Sequence, residues 1–251
     1  MMDTPETSAR HPSAPRHFAT TNWSLVRQAG SANEEMANAA KDTLCNAYWY
    51  PVYAYIRARS RTKEDAEDLT QGFFLRLLRV NLLAKADAQQ GRLRNYLLGS
   101  VKHFLISEHA HAHAKKRGGD AVITSFDAQW AENAFGNEPV DEMTPERLYQ
   151  RRWALTVLEF AFDLLREEHV ADGRHEEFER FRPLLGFTAE CGCNYAEMSA
   201  QTGVPVGTLK SQVHRMRKRW KELLRQQVAL TLGDPTEENI RDELRELLDC
   251  V

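Results

Sequence analysis

The sequence predicts an all-α protein, built as two helical domains joined by a linker. Three observations carry that expectation. Apolar residues recur at helical spacing through most of the chain. Pro and Gly are few, and strand-like alternation is nearly absent. The helical period is interrupted from Asp120 to Met143, where "DAVITSFDAQWAENAFGNEPVDEM" is acidic, aperiodic, and contains Gly136 and Pro139. At 251 residues, 42% hydrophobic and 27% charged, the chain has room for one large domain or two small ones. No stretch approaches the roughly 20 consecutive apolar residues of a membrane helix, so the expected setting is cytoplasmic, without a membrane.

Taken in order, the lead "MMDTPETSARHPSAPRHF" lacks the apolar core of a secretory signal and reads as disordered. A helix starts near Asn33 and reaches Tyr50, with Pro51 either kinking it or opening the next, which carries Val52, Tyr55 and Ile56. Thr62 is the expected N-cap of "TKEDAEDLTQGFFLRLLRV", with acids in its first turn. "GRLRNYLLGSVKHFLISEHAHAHAKKRGG" forms the next helix and stops at a basic cluster and a Gly pair. After the linker, Thr144 is an N-cap with Pro145 at the first helical position. A long helix follows, then shorter ones. The tail places Ile240, Leu244, Leu247 and Leu248 on one stripe, which suggests a final helix packing back on the body. The expected boundaries are an extension over residues 1–38, a first domain over 39–118, a linker over 119–143, a second domain over 144–228, and a tail helix over 229–251.

Cysteines 45, 191, 193 and 250 form no repeated framework and fit a reduced setting. Cys191 and Cys193, with His169 and His175, lack the paired spacing of structural zinc sites. In "HAHAH", only His109 and His113 share a helix face. No metal, no cofactor and no catalytic group is expected, and the protein is not expected to be an enzyme.

The net charge is -3, yet residues 207–226 hold seven Lys or Arg against one Glu, a local charge of +6. With Leu209 at zero on a helical wheel, Val213, Met216, Trp220, Leu223 and Leu224 fall within about 60° of it. Lys210, Ser211, His214, Arg215, Lys218, Lys221 and Arg225 lie away from that stripe. Upstream, "YAEMSAQTGVP" gives a short helix with Met198 facing inward and a turn at Gly203, and Pro205 lets the second helix begin. Helix, Gly turn and basic helix make a helix-turn-helix, whose second helix enters the major groove. A helical hairpin with a solvated basic face is the bland reading of the same pattern.

"VPVGTLKSQVHRMRKRWKELL" is similar to the DNA-reading end of bacterial sigma factors of the sigma-70 family, especially the two-domain extracytoplasmic-function (ECF) type, with Gly207, Thr208, Leu209, Lys210 and Ser211 matching. Gln212 departs from the family where an Arg is frequent, which bears on promoter preference. Ser199 stands where Ala is usual. "EDAEDLTQGFFLRLL" resembles the family's helix that docks on the polymerase clamp, and the resemblance spans residues 39–118 and 144–228. It implies a factor that binds core RNA polymerase through the beta-prime clamp and directs it to promoter DNA in transcription initiation. An anti-sigma factor or other regulator is the further class of partner it allows. It assigns Asp65, Glu67, Asp68, Leu69, Gln71 and Phe74 to polymerase binding. It assigns Lys102, His103, Phe104, Lys115, Lys116 and Arg117 to the minus-ten element, with Tyr96 a second aromatic nearby. Thr208, Lys210, Ser211, His214, Arg215 and Lys218 fall to the minus-35 element, with Arg219 and Lys221 as phosphate contacts. The acidic "NEPVDEM" then reads as a nucleic-acid mimic within the linker. The alternative is a helix-turn-helix regulator without polymerase contact, which leaves "DAEDLTQ" idle. A metal-dependent enzyme finds no ligand or nucleophile motif to support it.

Overall fold

The computed structural model describes residues 23–80, 82–112, 128–140, 142–185 and 194–251. The described residues are all-α, with no strand among them. The N-terminal half holds α1 (Trp23–Ala29), α2 (Glu34–Arg57), α3 (Lys63–Arg79) and α4 (Leu93–Ala112), with two short 3-10 turns between α3 and α4. Then come α5 (Ala128–Phe135), α6 (Pro145–Ala171), α7 (His175–Phe181), α8 (Tyr195–Thr202), α9 (Val206–Leu230) and α10 (Glu237–Asp249).

Capping residues set the helix starts. Asn33, Thr62, Thr144 and Thr236 each accept a bond from the amide three residues on, and so satisfy a donor the helix itself cannot. Pro51 sits inside α2 rather than ending it. An interior proline costs about 3 kcal/mol. Here every residue from Tyr48 to Ile56 is buried, so packing on all sides outweighs the lost bond.

One hydrophobic core runs from Trp23 to Leu247. Its axis is α6, whose buried residues Tyr149, Trp153, Val157, Ala161, Leu165 and His169 recur every fourth position. The start of α6 meets the N-terminal half: the Tyr149 hydroxyl donates to the Arg94 carbonyl at 3.0 Å, and Gln150 Nε2 donates to Asn95 Oδ1 at 3.2 Å. Its end meets α9, where Arg219 clasps Glu168 with two bonds of 2.9 and 2.6 Å.

Several local expectations need correction. The stretch read as aperiodic contains α5, docked on α2. Glu132 accepts from the Tyr53 hydroxyl at 2.6 Å and pairs with Arg57 at 2.9 Å, while Phe135 meets the Tyr53 ring edge-on. Glu138, read as part of a nucleic-acid mimic, has a side chain 0% exposed. It is held by Arg151 and Arg152 and accepts from the Tyr50 hydroxyl. The tail does form α10 on the body, but Leu248 is 60% exposed and Ile240 and Leu247 carry the buried face. The lead over residues 1–18 and the Cys191–Cys193 pair lie outside the described residues. His169 is buried, with Nδ1 2.7 Å from the Leu165 carbonyl and its ring against Phe178, which gives it a packing role. Burial pushes the Cys45 thiol up to about 12, so it is an unreactive core group.

The contact between the halves carries a pH dependence. Arg57, and after it the Tyr53 hydroxyl, holds the Glu132 carboxyl below its ordinary value, and Lys102 does the same for Glu146. A depressed carboxyl adds stability above its unfolded value, about 4.3, and loses it as pH falls through the lower folded value. The stability gap between wild type and a Glu132→Gln, Glu146→Gln variant should therefore narrow as pH drops below about 4. Thermal unfolding between neutral pH and pH 3 measures it; a constant gap would contradict the assignment.

Candidate nucleic-acid and partner interfaces

The basic helix is laid out as its wheel requires. Leu209, Val213, Met216, Trp220, Leu223, Leu224 and Val228 are buried. Thr208, Lys210, Ser211, His214, Arg215 and Lys218 are all exposed. α8 enters this helix through Gly203, at φ 69°, where its amide donates to the Ser199 carbonyl. That left-handed conformation is open to Gly at little cost. Pro205 then supplies the extended residue before Val206. Lys210, Ser211, His214 and Arg215 line a shallow open groove on the outward side. The Lys210 ammonium lies 5.9 Å over the Tyr195 ring, which orients it from α8.

The cations of α9 divide into two kinds. Arg217 donates to the Leu184 carbonyl at 2.6 Å, Arg219 clasps Glu168, and Arg225 pairs with Glu237. All three are engaged within the fold, so Arg219, unlike Lys218 and Lys221, meets a carboxylate of its own chain. Glu168 raises the affinity of the Arg219 guanidinium for its proton, and the pair is half-exposed on both sides. Arg215, Lys218 and Lys221 are exposed and, among the described residues, pair with no carboxylate.

On α3, Asp65, Asp68 and Gln71 are exposed and form an outward row of acceptors. Glu67 is half-buried and faces Lys63 at 3.7 Å, while Leu69 is half-buried against the core. Phe74 is 1% exposed and sits edge-on to Phe73, so it offers nothing to a partner. Its assignment to a binding surface is corrected to the core. Phe104 is corrected likewise: it is buried edge-on to Phe73 and cannot receive a base. Tyr96 is half-buried and spends its hydroxyl on the Leu82 carbonyl at 2.7 Å. His103 is exposed on α4, and Ile106, 67% exposed, lies beside it. Lys102 is half-exposed and paired with Glu146 at 3.0 Å. Lys115, Lys116 and Arg117 lie outside the described residues. Ile106, and the carboxylate partner of Lys102, were not anticipated; an exposed Ile inside a periodic helix is the one signal in the sequence that could have marked that face.

No helix among the described residues is long and apolar enough to cross a membrane. The described residues hold no group of three or more His, Cys, Asp or Glu side chains placed to share a metal ion. No family model matches the chain, and no solved structure matches it. The chain is similar to the ECF RNA polymerase sigma factor SigE of Mycolicibacterium smegmatis, at 24% identity over 196 residues. The match covers 77% of this chain and 65% of that protein's length, so the chain spans just under two thirds of the curated relative it matches.

Proposed function

We propose that the chain is an ECF-type sigma factor, which binds core RNA polymerase and directs it to promoter DNA. The observation that carries this reading is the exposed row of Thr208, Lys210, Ser211, His214, Arg215 and Lys218 on a helix entered through a left-handed Gly203. α8, the turn and α9 act as a helix-turn-helix, with α9 in the major groove. The similarity to an ECF sigma factor supports the same reading. So does the acceptor row of Asp65, Asp68 and Gln71, which suits a basic partner such as the polymerase clamp. The chain catalyses nothing; it positions a polymerase and holds DNA. On this reading Lys102 and His103 contact the minus-ten element, and Lys115, Lys116 and Arg117, outside the described residues, are given the same role from the sequence alone. A regulator such as an anti-sigma factor acts by covering these faces.

The two parts of α9 should fail differently. Arg215 sits in the N-terminal, outward half, where recognition helices reach base edges. Arg215→Ala is expected to cost about 1–3 kcal/mol on the preferred sequence and relax preference at one or two positions. Lys218→Ala should weaken all duplexes alike and lower the salt slope by about one unit. Binding of the full chain with polymerase to a promoter and its single-base variants, at several salt concentrations, separates the two. Uniform scaling by both substitutions would make α9 a non-specific clamp.

A further inference from the structure

The end of α6 and the start of α7 face α9 across a half-open cavity of about 460 Å3. Gly173, at φ 72°, turns the chain between α6 and α7. A space of this size suits a small organic ligand. Its wall carries three carboxylates, Glu168, Asp172 and Glu177, against three guanidiniums, Arg174, Arg215 and Arg219. Two pairs are already made: Glu168 with Arg219 at 2.6 Å, and Asp172 with Arg174 at 2.7 Å. Glu177 and Arg215 make no ion pair among the described residues.

Two neutral acceptors complete the wall. Gln212 Oε1 is buried and has no hydrogen-bond partner among the described residues. His169, 5% exposed, spends Nδ1 on the Leu165 carbonyl. A carbonyl only accepts, so Nδ1 carries the proton and the neutral ring keeps Nε2 as an acceptor. A buried acceptor left unpaired is destabilising, and a donor brought by a ligand relieves it.

We infer that this cavity binds a small zwitterion, a primary ammonium joined to a carboxylate, and that the bound carboxylate draws Arg215 away from DNA. The competition for Arg215 rests on the sigma-factor reading, in which α9 meets DNA; the binding site does not. Charge selects the class. A wall with both signs in equal number, and one group of each sign unpaired, is matched by a ligand that carries both. A primary ammonium has three N–H donors, and Glu177, His169 Nε2 and Gln212 Oε1 are three free acceptors. The end of α6 adds direction. Glu168, His169 and Asp172 stand at its last turn and cap, where the helix carries partial negative charge, so the ammonium lies there. The carboxylate then reaches α9, where Arg215 offers paired N–H donors. Met216, buried on α9, floors the carbons between the two charges.

Arg215 also lines the outward groove with Lys210, Ser211 and His214. One guanidinium cannot hold a base edge and a cavity carboxylate at once. Gln212, by contrast, lines the cavity alone.

The probes are ω-amino acids from glycine to 6-aminohexanoate, which set the two charges progressively further apart. Each is titrated into the full chain by calorimetry. Butylamine and butyrate carry one charge each, and γ-butyrobetaine keeps both charges of 4-aminobutyrate without N–H donors. At least one member of the series is expected to bind with a Kd of about 1 mM or tighter, at least tenfold ahead of these controls. Glu177→Gln and Gln212→Leu, each with the circular dichroism of wild type, should weaken that member about tenfold. With that member at saturation, binding to a mixed-sequence duplex should fall about threefold in wild type but not in Arg215→Ala. A ligand of no net charge cannot produce this fall by screening. No member ahead of the controls, or binding that both substitutions leave unchanged, would overturn the site. Binding without loss of duplex affinity would overturn the competition for Arg215. A chain that binds the zwitterion but never joins core polymerase would leave the site standing and overturn the sigma-factor reading.

Discussion

Phe74→Ala is expected to lower the unfolding free energy by about 3–5 kcal/mol, while the surviving folded fraction keeps its affinity for polymerase. The side chain is 1% exposed, its ring lies 5.3 Å from that of Phe73, and Phe73 in turn lies 5.8 Å from Phe104. Removing it empties the space between α3 and the core, and the loss includes both transfer and cavity. Urea unfolding checks the first half of the expectation; a titration at low temperature, where the variant remains folded, checks the second. Unchanged stability with lost polymerase affinity would put Phe74 back at an interface and contradict the packing described for α3.

Asp68→Arg should do the reverse. Asp68 is exposed in the outward row with Asp65 and Gln71, so the substitution leaves the core untouched and the helix signal in circular dichroism intact. If that row meets a basic partner, the new cation faces like charge, which costs several kcal/mol across an interface. The expected result is a loss of about a hundredfold or more in affinity for core polymerase, with duplex binding by α9 preserved. Affinity that does not change would remove α3 from the polymerase contact.

These two outcomes also mark what the sequence discloses. The buried stripe of α9 was legible because an amphipathic helix writes its core face every third or fourth residue, and the structure buries Leu209 through Val228 accordingly. The turn at Gly203 was legible because Gly there precedes Pro205 at a change of helix. Phe74 and Phe104 were misplaced because periodicity shows that an aromatic lies on an apolar face, not whether that face meets the chain's own core or a partner. Arg219 and Lys218 look alike in sequence; the partner that separates them, Glu168, is 51 residues away. α5 was hidden for a similar reason. Eight residues are too few to form a stable helix alone, and its form depends on the anchors Tyr53 and Arg57 supply from α2. The ion pairs of α10 with Arg92 and Arg94 join residues some 150 positions apart, and no local pattern announces them.

On the proposed function, this chain gives core polymerase its promoter choice. Run-off transcription on genomic fragments with reconstituted core polymerase tests it most directly. Discrete transcripts that appear only when the chain is added are the expected result. Asp68→Arg should abolish them by preventing assembly, and Arg215→Ala should weaken them or shift them to other promoters. A chain that binds duplex DNA through α9, yet neither associates with core polymerase nor produces any such transcript, would contradict it and leave a helix-turn-helix regulator in its place.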